Sequence, residues 1–158
     1  TVLPLGLRSH ISAIEIGGKP VDEAFAPQSV VIRLEDDLDI SRGDYLATGS
    51  SLPEVSNESS VLLCWMDEKP LQPGNKYILQ HQGRQVRAMI RNLHSKVDVH
   101  TLQDVVLEGP VSLNEIVKAD IRTAAPLATD RYEVLRQNGS AILVDETSNN
   151  TVAAVLFT

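Results

Sequence analysis

Val117-Lys118-Ala119-Asp120-Ile121-Arg122-Thr123 decides how the rest of the chain is read. Val117, Ala119, Ile121 and Thr123 face one way, and Lys118, Asp120 and Arg122 face the other. A period of two with one apolar face is the mark of a half-buried β-strand. Working outward, Val30, Ile32 and Leu34 alternate with Ser29, Val31 and Arg33 in the same manner. Val61 to Met66 is a continuous apolar run, which predicts a strand covered on both faces. Ser140–Val144 and Thr151–Phe157 flank the polar link from Asp145 to Asn150 and predict a hairpin. Asn138-Gly139 predicts a turn, because both residues tolerate positive φ. One segment resists: Ile90, Leu93, Val97, Leu102, Val105 and Val106 sit at roughly helical spacing, while Val97 and Val99 alternate like a strand. Residues 94–108 are therefore read as irregular, with one helical turn.

Composition agrees with strands. Val, Ile and Thr number 17, 10 and 8 of 158 residues, and such stiff side chains pack well on a pleated surface. The eight prolines fall between the apolar runs. The reading is all-β, a sandwich or a barrel. The stretch TGSSLPEVSNESS, Thr48 to Ser60, is polar and aperiodic and predicts a boundary. It divides the chain into residues 1–50, a linker at 51–58 and residues 59–158. The first piece is small for a core of its own, so it reads as an incomplete domain or one that leans on its neighbour. Residue 1 is Thr and not Met, which suggests a fragment or a trimmed chain.

A net charge of −7 argues against a general nucleic-acid coat or an anionic-membrane binder, both of which need excess Lys and Arg. No stretch approaches the ~18 apolar residues of a membrane span. The single cysteine, Cys64, precludes an internal disulfide framework or a multi-cysteine zinc site. It lies in an apolar run with no cationic neighbour, and is read as a buried, inert thiol. No P-loop, dinucleotide-binding glycine pattern or G-x-S-x-G elbow is present.

Among the charged clusters, Asp37, Asp39 and Ser41 have the spacing of early calcium-loop ligands. Arg42 and Thr48 then stand where a glycine and a bidentate glutamate are required, so a solvated turn is the reading. Arg42-Gly43-Asp44 spells an adhesion tripeptide, but Gly43 is what a tight turn before Tyr45 wants. From Lys69 to Val97 there is no Asp or Glu, and Lys69, Lys76, Arg84, Arg87, Arg91 and Lys96 supply six positive charges. On a strand, Arg87 and Arg91 share a face. This segment is either a docking surface for an acidic partner or a phosphate backbone, or an ordinary polar face. Tyr77 is its only tyrosine and it has no Phe or Trp, so single-stranded nucleic acid is disfavoured. His10, His81, His94 and His100 show no metal-ligand spacing.

Two blocks are more specific than any of these motifs: DEAFAPQSVVIRLEDDLDISRGDYL, Asp22 to Leu46, and VLLCWMDEKPLQPGNK, Val61 to Lys76. Both resemble the large, GTP-binding subunit of bacterial sulfate adenylyltransferase, and the likeness continues through Val86–Met89, Leu113–Ile116 and Ile142–Glu146 over essentially the whole chain. The resemblance implies an elongation-factor-Tu-like parent, a GTPase domain followed by two translation-factor-type β-barrels. Residues 1–50 would be the C-terminal part of the first barrel, incomplete at its N-terminus, and residues 59–158 the second barrel. In that family GTP hydrolysis is coupled to transfer of AMP from ATP to sulfate, and a separate small subunit carries out the adenylyl transfer. The GTPase motifs, with GTP and Mg, would lie before Thr1. No catalytic, cofactor-binding or metal-ligating residue is therefore carried over to this chain. The implied partners are the GTPase domain and the small catalytic subunit, in the cytoplasm, with no membrane involved. Arg84, Arg87, Arg91 and Lys96 are the candidate partner contacts. Two departures stand out: Ala153-Ala154 where the family has a Gly-Ala-Gly-like turn, and Gln137–Ala141 in place of an NRxTGSF block. The alternatives are the barrels of an RNA-binding translation factor and a freestanding β-barrel interaction module.

Overall fold

The computed structural model describes residues 1–49 and 51–158, which hold twelve β-strands and no helix. Five short strands come first: β1 (Val2–Leu3), β2 (Ile11–Ile16), β3 (Lys19–Val21), β4 (Val31–Leu34) and β5 (Tyr45–Leu46). Seven follow: β6 (Glu54–Trp65), β7 (Lys76–His81), β8 (Arg84–Val97), β9 (Asp104–Val105), β10 (Ile116–Thr129), β11 (Ser140–Val144) and β12 (Thr151–Phe157).

The second group runs β10-β6-β12-β11-β7-β8, and β8 pairs again with β10, so six antiparallel strands close a barrel. Closure removes the sheet edges and gives every strand an inside and an outside. Val117, Ala119, Ile121 and Thr123 point inward and are buried, as their alternation predicts. The hairpin of β11 and β12 has the predicted bounds. The interior is filled by Leu63, Trp65, Leu79, Ile90, Leu143 and Val155 among others. Trp65 meets Tyr77 edge-on at 5.9 Å, and its indole N–H donates to the Lys69 carbonyl at 2.8 Å. That bond removes the cost of burying the one polar atom of the ring.

Several expectations need correction. The stretch at 51–58 is largely strand, because β6 starts at Glu54 and pairs Glu54, Val55 and Ser56 with Thr129, Ala128 and Leu127. Side chains there are polar because β12 reaches only as far as Val61, leaving the start of β6 exposed on one flank. The pairing is made by the backbone, which composition does not report. Residues 94–97 continue β8, and residues 98–103 form a turn without a helix. The helical spacing has a geometric cause: the register with β10 skips Arg91 and His94, and such bulges insert one extra residue. Ile90 and Leu93 therefore reach the same side three positions apart. Val61 to Trp65 is not covered equally on both faces. Val61, Leu63 and Trp65 are buried inside, whereas Cys64 is half-buried on the outer side. Neither Asn138 nor Gly139 adopts positive φ. Gly139 is needed for proximity instead, since a Cβ there would lie 2.4 Å from Tyr132 Cα.

The first group forms a three-stranded sheet, β3-β2-β4, and a two-stranded ribbon, β1-β5. Neither closes. Val30 and Leu34 are half-buried and Ile32 is 37% exposed, so the face that alternation marks as apolar is only partly covered. Its one buried cluster joins Leu3 and Ala47 to Ala128 of β10 and so belongs to the contact with the barrel.

Candidate functional site

Three polar assemblies stand out on the barrel, and each rests on registry between distant segments.

The first is the seam between the five-strand piece and the barrel. The Arg42-Gly43-Asp44 turn docks on the β7–β8 hairpin. Gly43 has φ +92°, and a Cβ there would meet Arg84 Cβ at 2.9 Å. Asp44 closes its own turn by accepting from the Ser41 N–H at 2.8 Å and lies 3.6 Å from the Arg84 guanidinium. The tripeptide is thus an internal wedge. Beside it is a cleft of about 250 Å³, lined by Leu3, Tyr45, His81, Arg84 and Asn138 among others. His81 is buried, its Nε2 lies 2.9 Å from the Asn138 carbonyl, and its ring meets Phe157 edge-on at 5.6 Å. Burial pushes the His81 pKa down, against the Asn138 carbonyl and the Asp130 charge, which raise it. Asn138 donates to the Ala128 carbonyl at 3.1 Å and to Asp130 at 2.9 Å.

The second is centred on Asp120, on the outer face of β10. Its carboxylate accepts from Ser60 Oγ at 3.0 Å and Asn92 Nδ2 at 3.1 Å, and faces His94 Nε2 at 2.8 Å. The hydrogen bond from Asn92 leads the groups that hold Asp120 below its usual range. This is a Ser, His and Asp set with the wrong order for nucleophilic catalysis. Serine and histidine both address the carboxylate, whereas activation requires the histidine between the other two.

The third is the basic strand β8. The four predicted contact residues do not form one patch. Arg84 and Lys96 are twelve positions apart, or roughly 40 Å at ~3.3 Å per strand residue. Arg84 lies at the seam. Lys96 is tucked against Glu115 at 2.7 Å. Burial raises the Glu115 pKa, but hydrogen bonds from Lys96 and the Ser112 N–H outweigh it, and the net shift is downward. Arg87 and Arg91 do share the outer face. Arg87 donates to Glu146 at 2.9 and 3.0 Å, and Arg91 lies 3.4 Å from Glu58. Registry adds two residues that sequence reading left out of the contact set. Lys76 and Arg122 both stand directly opposite Met89, on its two sides. Lys76 lay within the basic segment, but only strand pairing shows that Arg122 joins it.

Among the described residues no three His, Cys, Asp or Glu side chains gather in a metal-binding geometry. No helix of the described residues is long and apolar enough to cross a membrane.

Comparison with known proteins fits this arrangement. The chain is 42% identical over 154 residues to the bifunctional enzyme CysN/CysC of Mycobacterium tuberculosis, covering 97% of this chain and 25% of that protein. It is 40% identical over 158 residues to sulfate adenylyltransferase subunit 1 of Shewanella oneidensis, covering 98% of this chain and 33% of that one. The chain thus spans a quarter to a third of the curated relatives it matches. In fold it is similar to Sup35 complexed with GDP, with a TM-score of 0.86 at 16% identity over 99% of this chain and 39% of that one. The model of the GTP-eEF1A C-terminal domain-like family matches residues 58–158, which hold all of the closed barrel but the start of β6, and the chain belongs to that family.

Proposed function

We propose that this chain is the non-catalytic barrel portion of the GTPase subunit of a sulfate adenylyltransferase. In that role it helps couple GTP hydrolysis to the synthesis of adenosine 5′-phosphosulfate from ATP and sulfate. The observation that carries the reading is similarity along nearly the whole chain to relatives named for that activity. GTP and Mg would be held by a GTPase domain elsewhere in the longer protein, and adenylyl transfer would belong to a small catalytic subunit in the cytoplasm. The barrel supplies a rigid body. Switch segments of a GTPase rearrange when the γ-phosphate leaves, and a closed barrel docked on them passes the displacement on without deforming. Arg87 and Arg91, on the outer face, are the members of the predicted set best placed to meet a partner subunit. All four have carboxylate partners inside the chain, but the Arg84 and Lys96 side chains are 29% and 18% exposed, against 70% and 44% for Arg87 and Arg91.

The test uses the protein at its natural length together with the small subunit, with pyrophosphate release from ATP and sulfate followed with and without GTP. GTP-stimulated release is expected. Replacing Arg87 and Arg91 together by Glu should weaken subunit association or uncouple GTP hydrolysis from product. Absence of sulfate-dependent release from the intact pair would refute the assignment.

A further inference from the structure

We propose that the outer face of β7, β8 and β10 carries a docking groove for an acidic segment of a protein partner, one with carboxylates on either side of a single apolar side chain. This deepens the partner-contact reading of Arg87 and rests on it, but it adds a floor, a second flank and a chemical class of occupant.

The floor is Met89. It is half-buried on the outer face of β8, opposite Lys76 of β7 and Arg122 of β10. Neighbouring strands are ~4.8 Å apart, so the backbones of Lys76 and Arg122 lie about 10 Å apart with Met89 between them. Arg87, two positions along β8 on the same face, closes a third side. The depression they frame has a volume of about 260 Å³, and Ala124, on the outer face of β10, completes its apolar lining. Three cations and no carboxylate line it. Lys76 makes no ion pair among the described residues. Among the described residues Arg122 pairs only with Glu58, at 3.8 Å, which Arg91 shares. The Arg87–Glu146 pair is surface-exposed on both sides, and such pairs contribute little and exchange readily.

The dimensions choose the occupant. The volume lies below the ~300–1,000 Å³ of small-molecule sites, but it accommodates one apolar side chain. Methionine suits a floor that must adapt to such a group. No aromatic ring lines the groove, so it offers nothing for a base to stack on. A chain of net −7 that keeps three cations around an apolar floor has a local charge complementary to carboxylates.

The experiment measures fluorescence anisotropy on the protein at its natural length. The probes are a labelled peptide of about ten residues with one leucine among glutamates, the same peptide with the leucine replaced by glutamate, and a single-stranded RNA oligonucleotide. The leucine-containing peptide is expected to bind with strong salt dependence. Lys76→Glu or Arg122→Glu should weaken it at least about tenfold, and Met89→Ser about threefold. Glu58→Gln combined with Glu146→Gln should tighten it several-fold by releasing the arginines, a gain that misfolding cannot imitate. The inference is overturned if the peptide does not bind, if the all-glutamate peptide binds equally well, if the gain is absent, or if RNA binds more tightly at the same residues. Sulfate-dependent pyrophosphate release is measured in parallel. Peptide binding without that activity refutes the enzymatic reading and leaves the groove standing, whereas activity without peptide binding refutes the groove alone.

Discussion

Gly43→Ala should open the seam between the five-strand piece and the barrel while leaving the barrel intact. Two costs add. A residue with a Cβ at φ +92° sits in a region that L-residues avoid, at about 1–2 kcal/mol. The new methyl also meets Arg84 Cβ at 2.9 Å, on a hairpin held in the barrel wall, and a forced contact of this kind costs about 1 kcal/mol or more. The sum is roughly 2–3 kcal/mol, which raises a local opening constant about 30- to 140-fold. Hydrogen exchange reads this directly. The Ala47 amide, which donates to Thr1 at 2.9 Å, and the amides of β1 and β5 report the seam. Those of Leu63 and Leu143 report the barrel. Exchange should accelerate at the seam and stay unchanged in the barrel. Equal acceleration in both regions would show that the two pieces unfold together, and no acceleration would show that Gly43 is not a wedge; either result refutes the reasoning.

Gly139→Ala places a methyl 2.4 Å from Tyr132 Cα and 2.5 Å from its nitrogen, both backbone atoms that cannot swing aside. It should cost about 2–4 kcal/mol and lower the Tm by about 5–15 °C, whereas Gly83→Ala, whose tightest contacts are with the flexible Arg42 side chain at 3.3 and 3.4 Å, should change Tm by no more than a few degrees. His81 is kept neutral by burial, so the unfolded chain binds its proton more readily than the folded one. Stability should therefore rise with pH and be lost as pH falls below the ordinary histidine value of 6.5, and His81→Gln should flatten that part of a urea-denaturation pH profile.

How much was legible in the sequence depended on whether side chains or backbone carried the information. The Val117–Thr123 strand and the Ser140–Phe157 hairpin were legible because one face of each lies in a core, and burial imposes the period. Glu54 to Ser60 was not, since that half of β6 is held by backbone pairing and its polar side chains face water. The bulges at Arg91 and His94 gave β8 a false helical spacing. The basic character of residues 69–97 was visible, but its division was not. Arg84 meets Asp44 forty positions upstream, and Lys96 meets Glu115 nineteen positions downstream. Arg122 enters the groove only through the register that sets it opposite Met89. Long-range pairing of this kind leaves no local mark.

Barrel closure has a consequence for how the protein is made. β6 cannot be flanked on both sides until β12 exists, because Val61 pairs with Phe157, 96 positions later. At a synthesis rate of ~5–20 residues per second, the first strand of the barrel waits about 5–20 s for its last neighbour. Through that interval Leu63, Trp65 and Leu79 have only a partial sheet to cover them. Topologies dominated by such distant pairings fold slowly even once complete, on the order of milliseconds to seconds. The nascent chain therefore carries an unfinished sheet while synthesis continues, and the barrel closes only after its final hairpin has emerged.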